Sequence, residues 1–137
     1  MAGKKRPGTE TFIVPDIDPL GDKALFLQIR DSIVHQVAAG NLAPGSRLPS
    51  VRMLADDLRI NPATVKKAYN MLVDDGVAVT RDRSGTRIAV TATAKDTAEK
   101  DLARAVTEAV AFARARGLTT AKITSVVKKQ LDAIAAG

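Results

Sequence analysis

The stretch INPATVKKAYN, residues 60–70, sets an Asn-Pro pair ahead of a Thr, two Lys and a Tyr. These side chains donate and accept hydrogen bonds and carry positive charge; they suit recognition of a polyanion better than bond making. Asn61 is a helix-capping residue, and Pro62 suits the first helical position, where its missing N–H costs nothing. Val65, Ala68, Tyr69 and Leu72 recur at helical spacing and point inward, which leaves Thr64, Lys66 and Lys67 outside. The N-terminus of such a helix carries unpaired N–H groups and the positive end of the dipole, a setting that suits phosphates and groove edges. The small residues Pro62 and Ala63 allow close approach to a major groove. Thr64 can donate to a phosphate or touch a thymine methyl, and Lys66 and Lys67 can reach guanine edges or phosphates. Tyr69 has two open readings: its hydroxyl donates to a phosphate, or its ring packs in the core.

Other chemistry finds little support. Asp56-Asp57 and Asp74-Asp75 could suggest metal ligands, but neighbours on a helix point in different directions, so these pairs read as solvated charges that repel DNA from the wrong face. His35 is the only histidine and there is no cysteine, which excludes disulfides, thiolate metal sites and cysteine nucleophiles. There is no phosphate-binding glycine loop and no nucleophile with a base beside it. No enzyme activity, metal or cofactor is expected. Aromatic residues make up only 3%, against a surface that stacks single-stranded bases. The formal charge of +6 favours a polyanionic partner. With no apolar run near 18 residues and no signal-peptide core after MAGKKRPG, the expectation is a soluble cytoplasmic protein without a membrane partner.

The elements that must position residues 60–70 follow from periodicity. Residues 1–22 read as a flexible basic arm and an extended lead-in with two Pro and a Gly, not as a regular element. Asp22 is a plausible cap for a helix carrying Phe26, Ile29, Ile33 and Val37, with Arg30, Asp31 and Gln36 off the stripe and Gly40 at its end. Pro44-Gly45 marks a turn, and Arg47-Leu48 can form a very short strand. Ser50 caps a short helix with Val51, Leu54, Ala55 and Leu58 on its apolar face. Two short helices joined by a tight turn, the second cationic outside, make a helix-turn-helix. After Gly76, VAVTRDRSGTRIAV reads as a hairpin in which Val77 and Val79 alternate with Ala78 and Thr80, and Ile88 and Val90 share a face. The fold class is therefore mainly α with a small β-hairpin: a winged helix-turn-helix over 23–92, followed by a helical region over 93–137. In that last region, Thr97 is a capping signal for one helix and Thr119 or Thr120 for the next, with Gly117 between them. Leu102, Ala105, Val106, Ala109, Phe112 and Ala113 make one stripe, and Ile123, Val126, Val127, Leu131 and Ile134 another. Two such helices cannot bury both faces alone and need the winged domain or a second copy.

Residues 25–88 resemble the DNA-binding domain of the GntR family of bacterial transcription regulators. The resemblance rests on Gly40, Leu42, Pro44, Gly45, Leu48, Pro49, Ser50, Arg52, Leu54 and Ala55 at fixed spacing, then INPATVKKAYNMLVDDGV, then the SGT at residues 84–86. The roughly 45 helical residues after the hairpin and the Asn-Pro-x-Thr-Val segment look like the YtrA-like branch, which uses two C-terminal helices mainly for dimerisation. Other branches place an Arg where Pro62 stands, so their base code does not carry over. The resemblance implies a phosphate or base contact for Arg52 beside Ser50, and makes Lys66 the better base reader of the lysine pair. It implies a wing whose Arg81, Arg83 and Arg87, with Ser84, Gly85 and Thr86, follow the adjacent minor groove. The expected function is a homodimeric, sequence-specific regulator of double-stranded DNA, acting as a repressor on an inverted repeat. Two alternatives stay open: a sensor with a small-molecule effector between the dimer helices, and a nonspecific architectural DNA-binding protein.

Overall fold

The apolar stripes of the first ninety residues become three helices and a hairpin. The computed structural model describes residues 5–6, 9–81, 85–90 and 95–136, and it divides into two units, Met1–Val90 and Thr91–Gly137. In the first unit, strands β1 (Lys5–Arg6) and β2 (Thr9–Ile13) pair antiparallel ahead of helices α1 (Leu25–Ala38), α2 (Val51–Leu58) and α3 (Pro62–Asp74). Strands β3 (Ala78–Arg81) and β4 (Gly85–Ile88) form the hairpin. Ile29 and Ile33 of α1, Leu54 and Ala55 of α2, and Val65, Ala68 and Leu72 of α3 meet in one core, closed below by Ala78 and Ile88.

Both caps of the helix-turn-helix form as their sequences dictate. Ser50 accepts from the Met53 N–H at 3.1 Å, and Asn61 Oδ1 accepts from the Ala63 N–H at 2.9 Å, with Pro62 at the first helical position. The turn between them is only Arg59-Ile60. To close α2 and still deliver Asn61 to its cap, Arg59 takes the left-handed conformation, φ 56° and ψ 49°. For a residue with a side chain that conformation costs about 1–2 kcal/mol, so the tight turn is held by the packing on either side of it.

The start of the chain departs from the sequence reading. Far from being only a lead-in, Thr9–Ile13 is a strand, and Phe12 within it is fully buried, with Val14 close behind. What holds it is Gln36, which the helical stripe placed outside and which is in fact buried. Its Oε1 accepts from the Ile13 N–H at 2.9 Å and its Nε2 donates to the Ile13 carbonyl at 2.8 Å. One side chain thus satisfies both backbone groups of a strand residue, as a neighbouring strand would. Asp22 does not cap α1 either: Ala24 precedes the helix without a side-chain bond, and Gln28 ties the approach by donating to the carbonyls of Asp18 and Lys23 and accepting from the Asp18 N–H.

The segment before α2 pairs with the two-stranded hairpin through an isolated bridge. Arg47 bridges Arg87, Leu48 N–H donates to the Thr86 carbonyl at 2.9 Å, and Ile88 N–H donates to the Ser46 carbonyl at 2.8 Å. The short strand read at Arg47-Leu48 is present as this pairing. Of the two alternating sets, the one with Ala78 faces in: Ala78 and Ile88 pair and are buried, while Val79 faces out and Val90 lies beyond the strand, exposed.

The second unit is a helix pair, α4 (Lys95–Ala115) and α5 (Thr120–Ala136). Thr97 lies inside α4 and so is not its cap, whereas Thr119 accepts from the Lys122 N–H at 3.2 Å and caps α5. Arg114 donates to the Thr120 hydroxyl at 3.0 Å across the turn. No described helix is long and apolar enough to cross a membrane.

Candidate nucleic-acid interface

Helix α3 presents its outer face because its inner one is taken. Val65, Ala68, Tyr69 and Leu72 are buried, so Asn61, Pro62, Ala63, Lys66, Lys67 and Asn70 are left exposed, with Thr64 half-buried at the edge. Ala63, Lys66, Lys67 and Asn70 follow one another at helical spacing along this face. Asn70 escaped the sequence reading, although the spacing from Ala63 and Lys66 marks it. Its amide is the kind of group that pairs with adenine edges. Asp74 and Asp75 close the far end of the helix, about 18 Å along the axis from Pro62, so the cationic half is the N-terminal half.

The two lysines are not equivalent. Lys67 Nζ lies 3.9 Å from the centre of the Phe26 ring on α1, a cation–π contact that turns its head back over the protein. Lys66 has no ion-pair or ring partner among the described residues. Elsewhere on the unit, Lys23 and Arg30 are both spent on Asp31, at 2.7 Å each. Burial alone would raise that carboxyl's pKa; the two hydrogen bonds and their charges outweigh it and lower it instead. Ser50 and Arg52 are exposed at the start of α2.

Of the two readings of Tyr69, phosphate donor or core residue, the structure shows the second. It is buried, and its hydroxyl donates to the Pro49 carbonyl at 2.8 Å, locking α3 to the entrance of α2. Burial pushes the phenol's pKa well above its ordinary value, so the proton stays on the oxygen. Replacing Tyr69 by Phe is expected to leave the Pro49 carbonyl unpaired and to cost about 1–2 kcal/mol in urea denaturation. The salt dependence of DNA binding should be unchanged; a shallower dependence in the variant would return Tyr69 to the phosphate role.

On the wing, Arg81 is exposed opposite Gly85, and Thr80 and Thr86 face each other with hydroxyls 3.3 Å apart. Arg87 is half-buried and donates to the Gly45 carbonyl at 3.2 Å, so it braces the hairpin against the preceding loop. Arg83 and Ser84 lie outside the described residues. Among the described residues there is no group of acidic or histidine side chains placed to hold a metal ion.

In the second unit the apolar stripes remain largely uncovered. Leu102, Phe112 and Leu131 are about two-thirds exposed, Ala105 and Ala109 are exposed, and Val106, Val126 and Val127 are more than 40% exposed. Ala113 and Ile123 are half-buried. A hollow of about 170 Å³ opens between the helices, lined by Val106, Ala109, Ala113, Ile123, Val126 and Val127 among others.

Three helices, a tight turn before a cationic third helix, and a two-stranded wing bridged by Arg47 define a winged helix-turn-helix. The profile of the bacterial regulatory proteins of the gntR family matches residues 25–88. An HTH-type transcriptional regulator of Mycobacterium tuberculosis is 41% identical over 75% of this chain and 82% of its own. The chain belongs to the GntR family of transcription regulators, a family of DNA-binding proteins and not of enzymes. The transcriptional repressor YtrA of Bacillus subtilis is 39% identical over 53% of this chain and 55% of its own, and the likeness puts the chain with the YtrA-like members. A transcriptional antiterminator of Listeria monocytogenes has a similar fold, with a TM-score of 0.74 at 27% identity over 89% of this chain and 92% of its own.

Proposed function

We propose that the protein is a homodimeric repressor that binds an inverted-repeat operator with α3 in the major groove and the wing on the flanking minor groove. The observation that carries this reading is the outer face of α3. Asn61 caps the helix, Pro62 and Ala63 leave its tip bare, and Lys66 and Asn70 stand exposed along one face with the neighbouring acids at the far end. Lys66 is the base reader, because Lys67 is drawn back over Phe26. Arg52 and Arg81 hold phosphates on either side. Such a protein works in the bacterial cytoplasm, where the chromosome is, and needs neither cofactor nor membrane.

The dimer rests on the uncovered face of α4 and α5. A second copy, related by a twofold axis, brings the same apolar stripe to each side and spaces two recognition helices about one DNA turn, or a multiple of it, apart. The hollow of about 170 Å³ is smaller than the roughly 300–1,000 Å³ of small-molecule pockets, so side chains of the second copy suit it better than an effector. Repression is the activity named for the YtrA relative.

The test is titration of the purified protein against the duplex upstream of its own gene and a scrambled duplex over a salt series, beside Lys66→Ala. The upstream duplex should bind at least about tenfold tighter, and Lys66→Ala should erode that ratio. Equal binding of both duplexes with one salt slope would leave a nonspecific architectural protein.

A further inference from the structure

The register of the wing decides which of its side chains share a face. Ala78 pairs with Ile88, Val79 with Arg87 and Arg81 with Gly85, and Arg47 pairs with Arg87 from the other side. Directly paired residues point to the same side, and every second residue returns to it. Ala78 and Ile88 point into the core. The outer face of the hairpin and its bridged segment therefore carries Arg47, Val79, Arg81 and Arg87, with the bare backbone of Gly85 between Arg81 and Arg47.

Arg47 is not placed there by the hairpin sequence; it comes from the strand that leads into α2. Its Nε and Nη2 lie 3.7 and 3.8 Å from the position a Cβ would occupy on Gly85, so its guanidinium lies across the glycine. Gly85 has φ +72°, a conformation that suits glycine, and the missing side chain leaves that guanidinium uncovered. Arg87 is tied to Gly45, but Arg47 and Arg81 are exposed and, among the described residues, neither has a carboxylate or hydrogen-bond partner. Three guanidinium groups on one face repel one another, and an anion lying over the face would relieve all three. A guanidinium offers two parallel N–H donors, the geometry that fits a phosphate.

We propose that Arg47 is a DNA-backbone contact of the wing, its guanidinium laid over Gly85 to grip a phosphate beside the one held by Arg81. The assignment rests on the reading of this domain as a DNA binder, and adds a residue from outside both the recognition helix and the hairpin. Because a phosphate is the same in every sequence, the contact strengthens binding to any duplex and does not select among them.

The experiment compares Arg47→Ala, Arg47→Gln and Arg47→Lys in the full chain, by fluorescence anisotropy on the upstream duplex and on a scrambled one, from about 50 to 200 mM salt. Arg47→Ala should weaken both duplexes by the same factor, about three- to tenfold at low salt, and lower the salt slope by about 1. Arg47→Lys should restore the slope, since it keeps the charge. Thermal melting checks the fold; if Arg47→Ala melts early, Gln against Lys, both of which keep an aliphatic stem, decides the same question. Wild-type affinity and slope in the uncharged variants would overturn the proposal. So would a loss confined to the upstream duplex, which would make Arg47 a base reader. Should the wild type not prefer the upstream duplex at all, the operator reading falls, while the effect on the scrambled duplex still decides the role of Arg47.

Discussion

Phe12→Ala should destabilise the first unit by about 3–5 kcal/mol, the range for emptying a buried aromatic site. Phe12 is 0% exposed and belongs to the same core as Ile29, Ile33 and Leu72. The segment around it has its own support in the paired bonds from Gln36, so it does not simply collapse into the space left behind. Leu20, only eight residues on and 95% exposed, provides the contrast: Leu20→Ala should change stability by less than about 0.5 kcal/mol. Urea denaturation of the two variants measures both. A loss below about 1 kcal/mol for Phe12→Ala would mean that the strand is an ornament on a domain that closes without it.

The second large effect concerns assembly. Phe112 and Leu131 are 66% and 64% exposed within a single chain, on the face that the proposed dimer would cover. Phe112→Glu combined with Leu131→Glu leaves the contacts between α4 and α5 mostly intact and puts two carboxylates on the face a second copy would cover. The expected result is a monomer by sedimentation. Affinity for an operator with two half-sites should fall by about 10²-fold or more, because the second half-site no longer benefits from the first. Affinity for a duplex with one half-site should hardly change. A variant that stays dimeric would move the dimer interface away from this face.

How far the sequence can be read depends on the range over which each feature is decided. The caps at Ser50 and Asn61, and the buried faces of α2 and α3, are settled by residues within a turn or two of one another, and they are where periodicity placed them. The features that escaped are settled from a distance. Gln36 looks like a surface residue until Ile13, 23 residues earlier, supplies both partners for its amide. The Tyr69 hydroxyl can reach a solvent ligand or the Pro49 carbonyl, and only the packing of α3 on the entrance to α2 chooses. The alternation of Val77 and Val79 with Ala78 and Thr80 does not say which set faces in; the register, fixed by pairing with Leu48 and Ser46, makes Ala78 the buried residue. Arg47 joins the wing by that same long-range pairing, which no pattern within residues 77–90 contains.

The bridge between the segment before α2 and the wing bears on the order in which the domain comes together. The amides of Leu48 and Ile88 are held by carbonyls roughly forty residues away along the chain, with all of α2 and α3 inside the loop they close. Such a closure is slow and is stabilised only when the helices between are already packed. These two amides should therefore exchange with solvent only through the opening that also releases α2 from α3. Arg81 and Arg87 share a face as soon as the local hairpin pairs, but Arg47 joins them only when this long loop closes, so a chain still short of that step lacks the third cation of the face.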